Sequence, residues 1–294
     1  MASAGLGGTG PLPETPRSGE WNPARRAWIR RTLVRAALGA LGTIGALGFV
    51  FWLGTRGVYN LPYVLSIIPS LLSGFYLTLE ILGVVVPLGF ALGFLLGWAR
   101  TSRSAVLRAI AGLYVDFFRS MPPIVLIAFA FLIGLVAMRG TVANPFLVHS
   151  IALWLGVTAL ALHTAAYQAE IVRAGIQSVP AGQTEAADAL GLTRARTMFR
   201  VVLPQAFRVS LPALGNEFSS VIKDSSLLST IGWLELSGIG LVQVYAGLLV
   251  SPVAPILVWL EIGVLYFVVT YALNTLVRGV ENTFKVPGLE AAHL

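Results

Sequence analysis

The 294-residue chain is 56% apolar and 11% charged, with a mean hydropathy of +0.80, which excludes a soluble domain and makes the bilayer the relevant solvent. Its net charge of +7 comes from arginines in loops beside apolar runs, which points to membrane orientation rather than to a nucleic-acid surface. There is no cysteine and only three histidines, so disulfides, thiol chemistry and cysteine metal sites are excluded, and no histidine pair has metal-ligand spacing.

Residues 1–35 read as a disordered, basic tail, rich in Gly, Pro, Ser and Thr at its start and carrying Arg25, Arg26, Arg30, Arg31 and Arg35 at its end. The apolar run 36–54 that follows is read as a retained transmembrane helix. A signal peptide also has basic residues before an apolar stretch, but this run is longer than the usual signal core and no small-x-small site follows it. Leu61 to Ser73, with prolines at 62 and 69, is expected along the outer interface. Phe75 to Trp98 is long enough to cross a hydrocarbon core of about 30 Å. Ala105 to Phe118 is amphipathic, Arg119-Ser120-Met121-Pro122-Pro123 breaks it, and Ile124 to Met138 crosses next. After a short outer loop, Ile151 to Tyr167 crosses back.

The stretch Glu185–Pro204, EAADALGLTRARTMFRVVLP, is polar and arginine-rich between apolar segments. It reads as two short helices with a bend. Glu185 sits early on the first helix, where its charge suits the dipole. Ala186 and Ala187 are small enough for another surface to approach, Gly191 permits the bend, Thr193 caps the second helix, and Leu203-Pro204 opens the next span. A partnerless cytoplasmic hairpin is the plainer alternative.

A helix is then expected to start near Val209. From there to Ile222 it rises about 21 Å, so Lys223, Asp224, Ser225 and Ser226 arrive inside the membrane. Charges at that depth need a polar cavity or a protein partner. Asn216 and Lys223 share one helix stripe, Glu217 and Asp224 the adjacent one, and the serines suit a helix break. For a zwitterionic amino acid, Asp224 or Glu217 would meet the ammonium, and Lys223, Ser225 and Ser226 the carboxylate. A structural ion pair at the break, or contacts across a subunit interface, are the alternatives. Glu80 fits either a pathway or a headgroup boundary, and Glu261 lies in the last span, Pro255 to Val277. His163 reads as hydrogen-bonded packing, and Tyr167, Gln168 and Glu170 as supports for the docking loop.

With the N-terminus inside and six spans, every basic residue except Arg56, Arg139 and Lys223 falls on the cytoplasmic side, as the positive-inside rule demands. Both termini are then cytoplasmic. Neither lysine follows a glycine in a GxxxxGK[ST] pattern, and no Ser-His-Asp or HExxH arrangement appears. The chain is therefore expected to be no enzyme and to hold no cofactor.

The spacing Glu-Ala-Ala, three residues, Gly, nine residues, Val-x-Leu-Pro resembles the EAA loop of ABC-importer membrane subunits. The flanks YQAEIVRAGIQSVPAGQTEAADALGLTR and LPALGNEFSSVIKDSSLLSTIG are similar to the polar amino-acid permeases, which serve histidine, arginine, glutamine, glutamate and opines. Val201 stands where that family more often has Ile. The resemblance covers about residues 66–285, with the coupling loop at 175–205, and leaves the 36–54 helix and the 286–294 tail outside it. It implies an all-α, type I importer core of five spans in the bacterial cytoplasmic membrane, plus the extra first helix. It also implies a dimer with itself or a related permease, two ATPase subunits that bind ATP and dock on the EAA loops, and an extracytoplasmic binding protein. The rival class is a gradient-driven secondary transporter with Glu80, Glu261 or Asp224 as relays, which leaves the docking loop without purpose. A scaffold beside an active related permease is a third.

Overall fold

A computed structural model describes residues 61–140, 142–251 and 254–284, together with residues 30, 34, 39, 41, 42 and 45. The chain divides into Met1–Tyr59 and Asn60–Leu294. In the first unit the described positions are helical. The rest of the tail and of the 36–54 helix, like the 286–294 tail, lies outside the described residues.

The second unit is helical throughout its described elements, as expected for backbone in lipid, where every N–H and C=O must be paired within the segment. Helix α1 (Leu61–Arg100) runs 40 residues, about 60 Å. The stretch expected along the outer interface is therefore the first part of the spanning helix. Pro69 and Pro87 both sit inside α1, and neighbouring helices let membrane helices tolerate such breaks in the backbone ladder.

Ser104 caps α2 (Ala105–Ser120), accepting from the Leu107 amide at 3.4 Å. Met121 and Pro122 are extended, and Pro123 opens α3 (Pro123–Met138), because a residue before proline is pushed out of helical dihedrals. The two helices turn through 102° there. Asn144 caps α4 (Pro145–Gln177) by accepting from the Phe146 amide at 3.0 Å. At 33 residues α4 is about 50 Å long, so it outruns the hydrocarbon core.

Helix α4 is the mast on which the unit is built. Alanine and glycine make up eight of its fifteen buried residues, and α1 answers with Gly93 and Gly97. A Cβ on Gly93 would lie 2.8 Å from the Ala165 carbonyl, and one on Gly97 2.6 Å from that of Ala169. Without a hydrophobic force between helices in lipid, such close backbone approach supplies the packing.

Two short helices follow, α5 (Ala181–Ala189) and α6 (Arg194–Thr197). A π turn, Met198–Val202, runs directly into α7 (Leu203–Asp224). The helix expected from Val209 thus begins at Leu203, since Pro204 in its first turn needs no amide partner. A 3₁₀ turn, Ser225–Ile231, and left-handed Gly232 (φ +94°) separate α7 from α8 (Leu236–Leu248), and α9 (Ala254–Phe284) closes the unit. Three of these helices are long and apolar enough to cross a membrane, and five spans result when each bent pair counts as one.

Candidate docking element and transport pathway

The end of α5 is built by glycine. Gly191 has φ +74°, and its amide donates to the Asp188 carbonyl at 2.9 Å while that of Leu192 donates to Ala187 at 3.1 Å. This pair of bonds is a Schellman motif, which satisfies the last carbonyls of a helix and needs a left-handed residue. The bend expected at Gly191 is therefore a defined corner. Thr193 does occupy the cap position of α6, but its side chain makes no capping bond; its carbonyl accepts from the Thr197 amide instead.

Glu185 is the fifth residue of α5 and exposed, so it lies beyond the first turn where the helix dipole acts. Ala186 is exposed beside it. Ala187 is turned inward at 3% exposure, where α5 packs on α6 and the π turn; it holds the hairpin together and presents no surface outward. The exposed tip is completed by Leu190, 82% exposed, which sequence reasoning passed over because a single leucine beside glycine carries no pattern. Leu203 and Pro204 do not join this tip: they line a cleft against Phe90 and Phe94 of α1.

Below the hairpin, Glu170 of α4 gathers three arginines. Arg100 of α1 donates to it at 2.6 Å, Arg119 at the end of α2 stands 3.8 Å away, and Arg173 closes the group from the next turn of α4. Tyr167 lies under Arg119, whose guanidinium is 5.4 Å from its ring centre. The support expected from Tyr167 and Glu170 is thus a clamp joining α1, α2 and α4 at the root of the docking element. Gln168 is fully buried in the packing of α4 and belongs to neither group.

The second group continues from Arg119 along α4 to α7. His163 is 5.0 Å, ring to ring, from Tyr167, and its Nδ1 is 3.1 Å from the Phe118 carbonyl. It is packing with a hydrogen bond, as the sequence suggested, and it also lies within the electrostatic reach of Asp224. Glu217 in turn lies within reach of Asp224 and Arg119. Electrostatic reach thus links Arg119 of α2 with Glu217 of α7, Glu217 with Asp224, and Asp224 with His163 of α4. Arg119 is the member that sequence reasoning had assigned to a loop.

The remaining candidates fall elsewhere. Asn216 and Lys223 share a stripe as expected, and both are exposed. Among the described residues no ion pair ties Lys223 to Asp224 or Glu217. Ser225 is fully buried and donates to the Ile222 carbonyl at 2.7 Å; Ser226 donates to that of Lys223 at 2.6 Å. The hydroxyls expected on a substrate carboxylate donate to backbone carbonyls at the helix break. Glu80 is exposed and is the twentieth residue of α1, about 30 Å from either helix end. The structure does not bring Glu80 into the α7 group. The carboxylate oxygens of Glu261 are buried without a hydrogen-bond partner.

The most heavily bonded buried carboxylate is Glu235, at 0% exposure. It caps α8 by accepting from the Ser237 and Gly238 amides, each at 2.9 Å, and it accepts from Tyr266 of α9 at 3.0 Å and Thr78 of α1 at 3.4 Å. The available sequence signal was an acidic residue directly before the apolar run of α8.

Residues 89–286 match the family described as binding-protein-dependent transport system inner membrane component. The chain is 43% identical to the octopine transport system permease protein of Rhizobium radiobacter over 172 residues, which is 58% of this chain and 69% of that protein. It is 32% identical to an L-cystine transport system permease protein of Bacillus subtilis (strain 168) over 232 residues, 77% of this chain and 92% of that one. The crystal structure of an amino acid ABC transporter with histidines superposes with a TM-score of 0.64 at 30% identity, over 76% of this chain and 98% of that chain. An inward-facing methionine ABC transporter shares the fold, with a TM-score of 0.61 at 20% identity. The chain belongs to the family of inner membrane components of binding-protein-dependent transport systems, and its five-span fold is that of an ABC importer permease.

Proposed function

We propose that this chain is the membrane half of an importer that carries a polar amino acid into the cytoplasm, driven by a separate ATPase that docks on α5 and the corner after it. The observation that carries the reading is the docking element itself. Exposed Glu185, Ala186 and Leu190 surround a Schellman corner, held off the membrane by a helix longer than the bilayer and rooted in an ionic clamp. An extracytoplasmic binding protein delivers the substrate, and a second permease copy, identical or related, completes the pathway. Both termini face the cytoplasm.

Within the pathway, Arg119 supplies a counter-charge for a carboxylate, and Glu217 and Asp224 supply one for an ammonium. The missing Lys223–Asp224 ion pair favours this role over a structural pair at the break. Closure of the ATPase pair moves the two docking elements together, and the Glu170 clamp passes that movement to α1 and α2.

The test is co-purification. The tagged chain is isolated from native membranes beside Gly191→Val and Gly191→Asn, and the accompanying proteins are identified by mass spectrometry. A Cβ at Gly191 meets open space, so valine strains the left-handed backbone without a clash, whereas asparagine tolerates it. The reading requires an ATPase with the native chain and with asparagine, and its loss with valine. A folded chain that brings down no ATPase under gentle extraction overturns it and leaves the gradient-driven carrier.

A further inference from the structure

Along the cytoplasmic half of α7, before Glu217 and Asp224 in sequence for most of its length, the chain carries an apolar groove that the transport reading does not use. Two adjoining clefts of about 380 and 340 Å³ share Phe90 of α1 and Phe207 and Leu214 of α7. The groove runs on past Leu211 and Phe218 to Val277 of α9. Phe207 is 45% exposed at its edge, and the lining is carbon almost throughout.

Basic side chains flank its cytoplasmic end. Arg200 follows Phe199, which lines the first cleft; Arg208 follows Phe207; Arg278 follows Val277. All three are exposed, and among the described residues none forms an ion pair with an acidic group. Hydrocarbon depth below unpaired guanidinium groups is complementary to one kind of molecule in the inner leaflet, an acyl chain carrying an anionic head. A second copy suits the groove poorly. A two-fold contact uses the same patch of both partners, so it would gather Arg200 and Arg208 of both copies into one interface whose groove lining supplies no acidic group.

We propose that this groove binds one anionic phospholipid of the inner leaflet, with an acyl chain along Phe90, Phe207, Leu211 and Phe218 and its phosphate on Arg200 and Arg208. Both arginines flank the π turn and first helical turns that join the docking element to α7. The bound lipid therefore packs against the joint through which docking movements reach the pathway.

The full chain, with whatever subunits co-purify, is reconstituted in nanodiscs of phosphatidylglycerol and phosphatidylcholine, and lipid retained after delipidation is counted by native mass spectrometry. The native chain should hold one phosphatidylglycerol in preference to phosphatidylcholine. The preference should fall about fivefold for each arginine lost in Arg200→Gln and Arg208→Gln, and stay unchanged in Arg103→Gln, an exposed arginine away from the groove. Leu211→Trp, which fills the groove, should abolish retention of both lipids. Equal retention of the two lipids by the native chain, or an unchanged preference in the double arginine variant, overturns the proposal. So does a disulfide between two Phe207→Cys chains, which would place a second copy in the groove. Lipid retention is read without transport or an ATPase, so failure here is distinct from failure of the docking reading.

Discussion

Glu235 shows how much one buried carboxylate can hold. It satisfies two amides at the start of α8, a phenol on α9 and a hydroxyl on α1, so three helices meet on two oxygens. In Glu235→Ala the Ser237 and Gly238 amides lose their acceptor, whereas Thr78 keeps the Gly74 carbonyl at 3.0 Å and Tyr266 the Ser237 hydroxyl at 3.1 Å, and unmade buried bonds cost more than made ones contribute. The expected loss is about 2–4 kcal/mol, against about half of that for Glu235→Gln, which keeps one acceptor oxygen. Thermal unfolding in detergent, followed by loss of helical circular dichroism, compares the two; equal Tm values for alanine and the native chain would remove Glu235 from its anchoring role. At the same scale, Glu217→Gln and Asp224→Asn remove the proposed counter-charges and should each lower uptake at least tenfold while leaving ATPase co-purification intact. Uptake by reconstituted vesicles at native rate in both variants would exclude them from the pathway.

Gly191 and the serines of the break were legible as residues because their chemistry is local: a left-handed corner needs glycine, and a freed carbonyl needs a nearby hydroxyl. Glu235 and Arg119 were not, because their partners lie on helices far away in sequence, and only packing brings Thr78, Tyr266 or Glu217 to them.

Among the elements, the contact of α1 with α4 is the most sensitive to volume. A methyl group on Gly97 would press on the Ala169 carbonyl, which is backbone and cannot swing aside. Gly97→Ala should therefore destabilise by about 1–3 kcal/mol. Gly83, on the same helix, meets nothing within 4 Å, and Gly83→Ala should be neutral or stabilise by up to about 1 kcal/mol through helix propensity. Opposite signs of ΔTm in the two variants are the expected result, and equal losses would mean that helix length rather than close approach sets the packing. The continuity of α1 through Pro69 escaped sequence reading because proline punctuates helices in water, whereas lipid offers the freed carbonyl no competing partner and the helix persists.

Across the whole molecule, the docking element and the pathway sit at the two ends of one continuous run, from α5 through the π turn and α7 to the 3₁₀ break. An ATPase docked at one end of this run and working on the other requires that uptake follow ATP and not the proton gradient. In membrane vesicles holding the chain and its co-purifying subunits, removal of ATP should abolish uptake, and an uncoupler should leave the initial rate within about twofold of the untreated value. The reverse pattern would favour the carrier with buried carboxylate relays.

By itself the sequence determined the solvent, the five spans of the core and the glycine corner, because hydropathy and a glycine-ended helix each act within a few residues of chain. The tertiary structure alone decided which polar groups meet. It turned Ala187 inward, paired Ser225 and Ser226 with backbone carbonyls, left Glu80 outside the group, and brought Arg119 and Asp224 within electrostatic reach of Glu217. Those outcomes depend on how α2, α4 and α7 cross. The crossings follow from close contacts between helices distant in sequence, which no local pattern records.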